Sequence, residues 1–330
     1  MSEWRRDPVT GRWVVIAAER GLRPSDFRAA PEKVHREEAC PLCPGREQET
    51  PPEVAAYRAE GTAPDTPGWR VRVVPNKFPA VTGAEPVGPE AFGSFRAWPG
   101  SGVHEMVIET PAHVRGFEDL GPDQVACVLR MWQERSLVLR RREWIKYIQV
   151  FKNVGQGAGA SLAHAHSQIL ALPFVPPEVR AELEAAAAFR KATGACPLCA
   201  VLQEELAGGT RVVLAGRHVV ALAPFAARFP FEVWVLPRDH REDFGRAGET
   251  VLREAASALR EVLGRLARLL ARPPYNLVLR TAPVNPVTGD CHWRLEILPR
   301  LTVPAGFEFG TGCYINPLPP ESAARYLRRA

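Results

Sequence analysis

The tetrapeptide Cys40-Pro41-Leu42-Cys43 returns letter for letter as Cys196-Pro197-Leu198-Cys199, 156 residues later in a chain of 330. The recurrence extends downstream. Glu105 is followed eight positions on by His113, across an apolar run and a proline, and Glu232 and His240 repeat the interval. Each pair leads into a stretch with helical periodicity, about 121–143 and about 249–271. Val125, Val128, Leu129 and Trp132 fall on one face of the first; Val251, Leu252, Leu259, Val262, Leu263, Leu266 and Leu269 fall on one face of the second. An apolar strand follows in each copy, 147–151 and 275–279, and then a loop to a second histidine, His164 or His292. Such a chain is expected to be α+β, two tandem copies of one unit, each a mostly antiparallel sheet with helices packed on it. The halves are 1–178 and 179–330. The Ala- and Glu-rich segment 177–191 predicts a joining helix, and the Pro-dense segment 47–69 a surface excursion.

Two thiols and two imidazoles recur in each copy: Cys40, Cys43, His113 and His164, then Cys196, Cys199, His240 and His292. Four soft or borderline ligands suit tetrahedral Zn²⁺ in a closed structural site, so two zinc ions per chain are expected. The bland alternative is a pair of tight turns with reduced thiols. His104 competes for the first site, but Pro230 or Phe231 stands at its counterpart, which favours His113. Cys127 lies on the helical stripe and reads as core, as does Trp293. Cys291 is a neighbour of His292 with no role of its own.

The halves differ where chemistry would sit. The first carries the small-residue loop Gly155-Gln156-Gly157-Ala158-Gly159-Ala160-Ser161, then His164-Ala165-His166-Ser167-Gln168. On a strand, His164, His166 and Gln168 would stand in one row beside a loop whose backbone can approach a phosphate. Aligned on His292, the second half has Arg294 for His166 and Glu296 for Gln168. If His164 is a metal ligand, His166 is free to act as nucleophile, since much of an imidazole is unprotonated near neutral pH. Attack on the α-phosphorus of a nucleotide sugar would give a nucleotidyl-histidine, resolved by a second acceptor. Gln168 would stabilise charge on the phosphoryl oxygens. The glycines lack the Rossmann spacing, which argues against a dinucleotide site.

Composition restricts the partners. A hydrophobic fraction of 46% and a charged fraction of 24% are those of a globular protein, and the net charge of +5 is mild. The CPLC neighbours Arg36-Glu37-Glu38 and Gln203-Glu204-Glu205 are acidic on balance, which argues against nucleic acid. The first residues carry no apolar signal core and no stretch is apolar enough for a span, so a cytoplasmic location away from membranes is expected.

These motifs resemble the galactose-1-phosphate uridylyltransferase family, the transferase branch of the histidine-triad superfamily, over nearly the whole chain. Arg20, Arg23 and Pro24 match its early Arg-x-x-Arg-Pro. Pro-Asn-Lys-Phe-Pro at 75–79 resembles its nucleoside-binding strand, with Asn76 at the matching position. Phe151-Lys152-Asn153 resembles its Phe-Glu-Asn, and Ser161, His164, His166 and Gln168 match its active-site motif. The resemblance implies two histidine-triad-like repeats, a zinc at Cys40, Cys43, His113 and His164, and a uridylyl-histidine at His166. It implies phosphate contacts from Arg20, Arg23, Asn153, Ser161 and Gln168, and a homodimer whose site borrows partner residues. The expected activity is UDP-glucose:hexose-1-phosphate uridylyl transfer, with a nucleotide sugar and galactose 1-phosphate as substrates. The chain has His-Ala-His-Ser-Gln where the family usually has His-Pro-His-Gly-Gln, and segment 307–316 departs from the hexose-contacting pattern. That departure and the second Cys-x-x-Cys are similar to a divergent branch that includes plant-type ADP-glucose phosphorylase. A phosphorylase with inorganic phosphate as acceptor is therefore the alternative, and a nucleotide hydrolase uses the same intermediate.

Overall fold

The computed structural model describes residues 2–20, 27, 40–83, 85–92, 94–284 and 291–330. The chain begins with β1 (Glu3–Arg6) and β2 (Trp13–Ile16). The first half continues with β3 (Ala55–Arg58), β4 (Trp69–Pro75), a small hairpin of β5 (Glu90–Phe92) and β6 (Phe95–Ala97), β7 (Val103–Ile108), α1 (Pro122–Leu139), β8 (Tyr147–Val154) and β9 (His166–Leu172). Then come α2 (Pro177–Thr193) and α3 (Pro197–Gly208). The second half adds β10 (Val212–Ala215), β11 (Val219–Leu222), β12 (Val233–Pro237), α4 (Glu249–Leu270), β13 (Tyr275–Arg280) and β14 (Arg294–Pro299). It closes with α5 (Gly306–Thr311), β15 (Tyr314–Asn316) and α6 (Pro320–Arg329).

Ten strands form one antiparallel sheet in the order β10-β11-β12-β14-β13-β8-β9-β7-β4-β3. The order reads the same from either edge once equivalent strands are matched: β10 with β3, β11 with β4, β12 with β7, β14 with β9, β13 with β8. The centre is the β13–β8 pair, with Asn276 opposite Asn153 and Val278 opposite Phe151. We propose the division at 178/179 on this palindrome. Outside it, β2 pairs with β1 and, in parallel, with β15, so the beginning and end of the chain meet.

α1 and α4 lie together on one face of the sheet. Both start after a glycine and carry an acidic residue in the first turn, where the helix dipole favours it. The α4 stripe Leu252, Leu259, Val262, Leu263, Leu266 and Leu270 is buried, each residue contributing about 1.5–3 kcal/mol. Trp293 is fully buried, as expected for core. Cys127 is only half-buried at the margin of that core, a correction to its reading as core. The segment 47–69 is also less of an excursion than its prolines suggest: it contains the edge strand β3, and buried Trp69 donates its indole N–H to buried Glu47 at 2.8 Å. Prolines flank that strand rather than interrupt it, which an edge position permits.

The opposite face is closed over part of the second half and open over the central strands. Over β11, β12 and β14 it is closed: Val220, Leu222, Trp234 and Leu236 pack with Leu198 and Leu202 of α3, and every β14 residue is buried. Over β8, β9 and β13 burial alternates, leaving Gln149, Phe151, Asn153, Gln168, Asn276, Val278 and Arg280 half-exposed.

Candidate active site

Cys40, Cys43, His113 and His164 come together at one end of the first half, with ligand atoms all within 4.8 Å of one another. Cys196, Cys199, His240 and His292 do so in the second. In the first group, Cys43 Sγ lies 3.3 Å from His113 Nδ1 and 3.5 Å from His164 Nδ1, and Cys40 Sγ lies 3.7 Å from His164 Nδ1. In the second, Cys199 Sγ is 3.3 Å from His240 Nδ1 and 3.6 Å from His292 Nδ1. Two ligands on one tetrahedral zinc, with bonds of about 2.3 and 2.0 Å, stand about 3.5 Å apart, so the residues fit a metal. The outer nitrogens fit too. His164 Nε2–H donates to the Thr110 carbonyl at 2.8 Å and His292 Nε2–H to the Pro237 carbonyl at 3.0 Å, leaving Nδ1 of each ring free. Thr110 and Pro237 stand three residues before His113 and His240, so the carbonyl partner is duplicated along with the donors. His113, not His104, stands beside the thiols.

The expected row of three side chains shortens to two. β9 begins at His166, and His164 sits in the bend before it, turned toward the cysteines. His166 is 4% exposed, and its Nδ1–H donates to the His164 carbonyl at 2.8 Å, which puts the lone pair on Nε2. Burial, reinforced by the nearby Lys152 ammonium, pulls the His166 pKa down to about 4, so the ring is neutral at physiological pH. Burial alone dominates at His164, also held down to about 4. Beneath the strand, fully buried Lys152 donates to Glu109 at 2.6 Å and to the His166 carbonyl at 3.1 Å. Trp132 of α1 donates to Ser167 at 2.7 Å. The backbone of the histidine is thus fixed from the helix side while its ring faces the other way.

Gln168 Oε1 accepts from His104 Nε2 at 2.8 Å and from Asn76 Nδ2 at 3.4 Å. Asn76 Oδ1 accepts from the Phe78 N–H at 2.9 Å, so its amide turns inward to this network. Asn153 Oδ1 accepts from Asn276 Nδ2 at 2.8 Å, and the same nitrogen holds the Ala158 carbonyl at 2.8 Å. Gly155 and Gly159 in that loop both have φ of 83°, where a side chain would be strained. Ser161 is exposed on the loop. Arg20 ends a one-turn helix, Ala18–Arg20, and Arg23 lies outside the described residues. The sequence reading missed Asn276 and the Lys152–Glu109 pair; the one signal for Asn276 was an amide inside an apolar strand of the other half.

In the second half the corresponding face holds an ion network instead. Arg294 donates to Glu182 of α2 at 2.6 and 3.0 Å and to Glu296 at 2.9 Å. Arg228 bridges Glu232 and Glu296, both at 2.8 Å, and Arg294 lies 4.5 Å over the Trp234 ring. The guanidiniums hold the Glu182 and Glu296 carboxyls below their usual range, against the burial that would raise them.

Residues 1–176 match the family model described as "Galactose-1-phosphate uridyl transferase, N-terminal domain", and residues 133–327 match a domain of unknown function, DUF4921. ADP-glucose phosphorylase of Arabidopsis thaliana is 38% identical over 99% of this chain and 92% of its own length. Galactose-1-phosphate uridylyltransferase of Thermotoga maritima is 32% identical over 99% and 98%. The crystal structure of an Arabidopsis thaliana ADP-glucose phosphorylase with bound ADP-glucose superimposes with a TM-score of 0.84 at 35% identity, covering 100% of this chain and 99% of that one. Fold and sequence together define an enzyme of the nucleotide-sugar transferase and phosphorylase class. The chain belongs to the galactose-1-phosphate uridylyltransferase family.

Proposed function

We propose that the protein transfers a nucleotidyl group from a nucleotide sugar through His166, with ADP-glucose as donor and inorganic phosphate as acceptor. The observation that carries the double displacement is the state of His166: a neutral ring whose Nδ1–H is engaged by the His164 carbonyl, leaving the Nε2 lone pair for attack. A bond forms from Nε2 to the α-phosphorus, and the bond from that phosphorus to the bridging oxygen breaks, so glucose 1-phosphate leaves. The adduct ring is cationic, and its Nδ1–H bond to the His164 carbonyl strengthens as that charge appears. Phosphate oxygen then attacks the phosphorus, Nε2 departs with its electron pair, and ADP is released. Gln168, Asn153, Ser161, Arg20 and Arg23 are the proposed phosphate contacts. Asn76 is the proposed nucleoside contact, through its strand and turn more than through an amide already engaged by Gln168.

A cavity of about 530 Å³ lies on the same sheet face over β8, β13 and the start of α2, lined in part by Phe151, Asn153, Asn276, Arg280 and Glu178; of the proposed phosphate contacts, Asn153 lines it. Cys40, Cys43, His113 and His164 would hold one Zn²⁺, and Cys196, Cys199, His240 and His292 a second. With four protein donors each, these ions would supply structural cross-linking, and the first would brace the carbonyl on which His166 leans.

The choice of phosphate as acceptor rests on the 38% relative; the uridylyltransferase reading, with hexose 1-phosphate as acceptor, is favoured by the 32% relative and the family model. Incubation with ADP-glucose or UDP-glucose, each with phosphate or galactose 1-phosphate, separates them. ADP and glucose 1-phosphate are the expected products of the first donor with phosphate. Acid-free quenching without acceptor followed by peptide mass spectrometry should find the nucleotide on His166. Attachment to another residue would refute the mechanism. We further propose a homodimer in the cytoplasm; among the described residues, no helix is long and apolar enough to cross a membrane.

A further inference from the structure

Gln168 is held by a histidine from the neighbouring strand. His104, on β7, stands diagonally across the β7–β9 pair from Gln168 on the same face, with Leu170 directly opposite it. Its two nitrogens have unlike partners. The backbone N–H of Ala80 donates to Nδ1 at 3.1 Å, so Nδ1 is an acceptor and the proton sits on Nε2. Nε2–H then donates to Gln168 Oε1 at 2.8 Å. A second donor, Asn76 Nδ2, stands 3.2 Å from His104 Nε2, which carries its own proton and cannot accept, and 3.4 Å from the same Gln168 oxygen; its orientation is fixed by the Phe78 N–H on Asn76 Oδ1. Two donors, each oriented by a backbone amide of the loop after β4, converge on one atom. The Gln168 amide therefore cannot flip without setting its N–H bonds against Nε2–H. Its own Nε2 makes no hydrogen bond within the described residues, so both of its donors are left for a ligand beside His166.

We propose that His104 is a positioning residue for nucleotidyl transfer: it binds the Gln168 carbonyl oxygen and so presents the amide N–H bonds to the phosphoryl group in flight. The proposal rests on the double displacement at His166 proposed above. It gives the loop 76–80 a mechanical link to the site, because the same loop anchors both donors. An amide free to rotate would spend part of its time offering oxygen to an anion, which repels rather than stabilises the developing charge.

Three variants and a double mutant test it, with single-turnover formation of the His166 adduct and steady-state kinetics as readouts. His104→Phe keeps a ring in place and removes the donor; kcat should fall on the order of 10- to 100-fold with KM within about twofold, the signature of an interaction felt in the transition state. His104→Gln restores an N–H donor and should recover most of the rate. In a Gln168→Ala background, His104→Phe should cost nothing more, because its only route to the phosphoryl group is gone. Zinc content and thermal midpoint are measured on every variant. Wild-type kinetics for His104→Phe, or a loss that persists in full beside Gln168→Ala, would overturn the proposal while leaving the adduct on His166 intact. A wild-type protein that forms no adduct with any nucleotide sugar would instead remove the double displacement, and the role of His104 with it.

Discussion

His164 and His166 stand two positions apart in different surroundings. Both rings are neutral and both give one N–H to a backbone carbonyl, but the free nitrogen of one points at two thiols and that of the other does not. Replacement should separate them. His166→Ala is expected to abolish the adduct and leave zinc content and thermal midpoint near wild type. His164→Ala should lose one zinc equivalent and lower the midpoint, read by metal analysis and calorimetry. Equal loss of zinc in both would mean that His166 belongs to the metal sphere. Glu182 and Glu296 add a dependence on acid. Their folded-state carboxyls sit below the usual range, so they contribute stability that is present above about pH 4.5, the unfolded value, and lost as pH falls through the folded one. Denaturant midpoints should therefore drop steadily below pH 4.5, and replacing Glu182 by Gln should flatten part of that drop.

At the scale of elements, the helix that joins the halves does more than connect them. α2 sends Glu182 down to Arg294, the residue at the position of His166, the proposed nucleophile, in the other half. Glu182→Ala would leave Arg294 buried with Glu296 as its remaining close carboxylate, and loss of one partner from a buried ion network costs about 3–5 kcal/mol. Urea unfolding checks this; a change below about 1 kcal/mol would mean that α2 is held mainly by other contacts. Where the first half has His166 and Gln168 on a partly open face, the second has Arg294 and Glu296 on a closed, charged one. Helix and strand positions were readable because burial imposes periods of 3.6 and 2 on apolar residues. The start of β9 was not, because the pull on His164 comes from cysteines over a hundred residues away.

For the whole molecule, the β8–β13 pair turns two repeats into one sheet, and β2 with β15 ties the chain's ends together. The two Cys₂His₂ groups, if each holds a zinc, would brace one body. We expect two zinc equivalents per chain and a single unfolding transition whose midpoint falls when either set is cut, by His164→Ala or by His292→Ala. One equivalent, or two independent transitions, would contradict this.

Taken alone, the sequence determined the duplication, the two helices and their buried stripes, both Cys₂His₂ sets and the half in which a second histidine and a glutamine follow the His ligand position. Each of these is written in spacing along the chain or in a difference between aligned copies. Tertiary structure alone decided that the repeats share one sheet, that the face opposite α1 and α4 closes over β11, β12 and β14 but stays open over β8, β9 and β13, and that Gln168 is gripped by His104 and Asn76. Those outcomes depend on strand pairing between distant segments, where hydrogen bonds join residues whose separation in sequence carries no periodic signal.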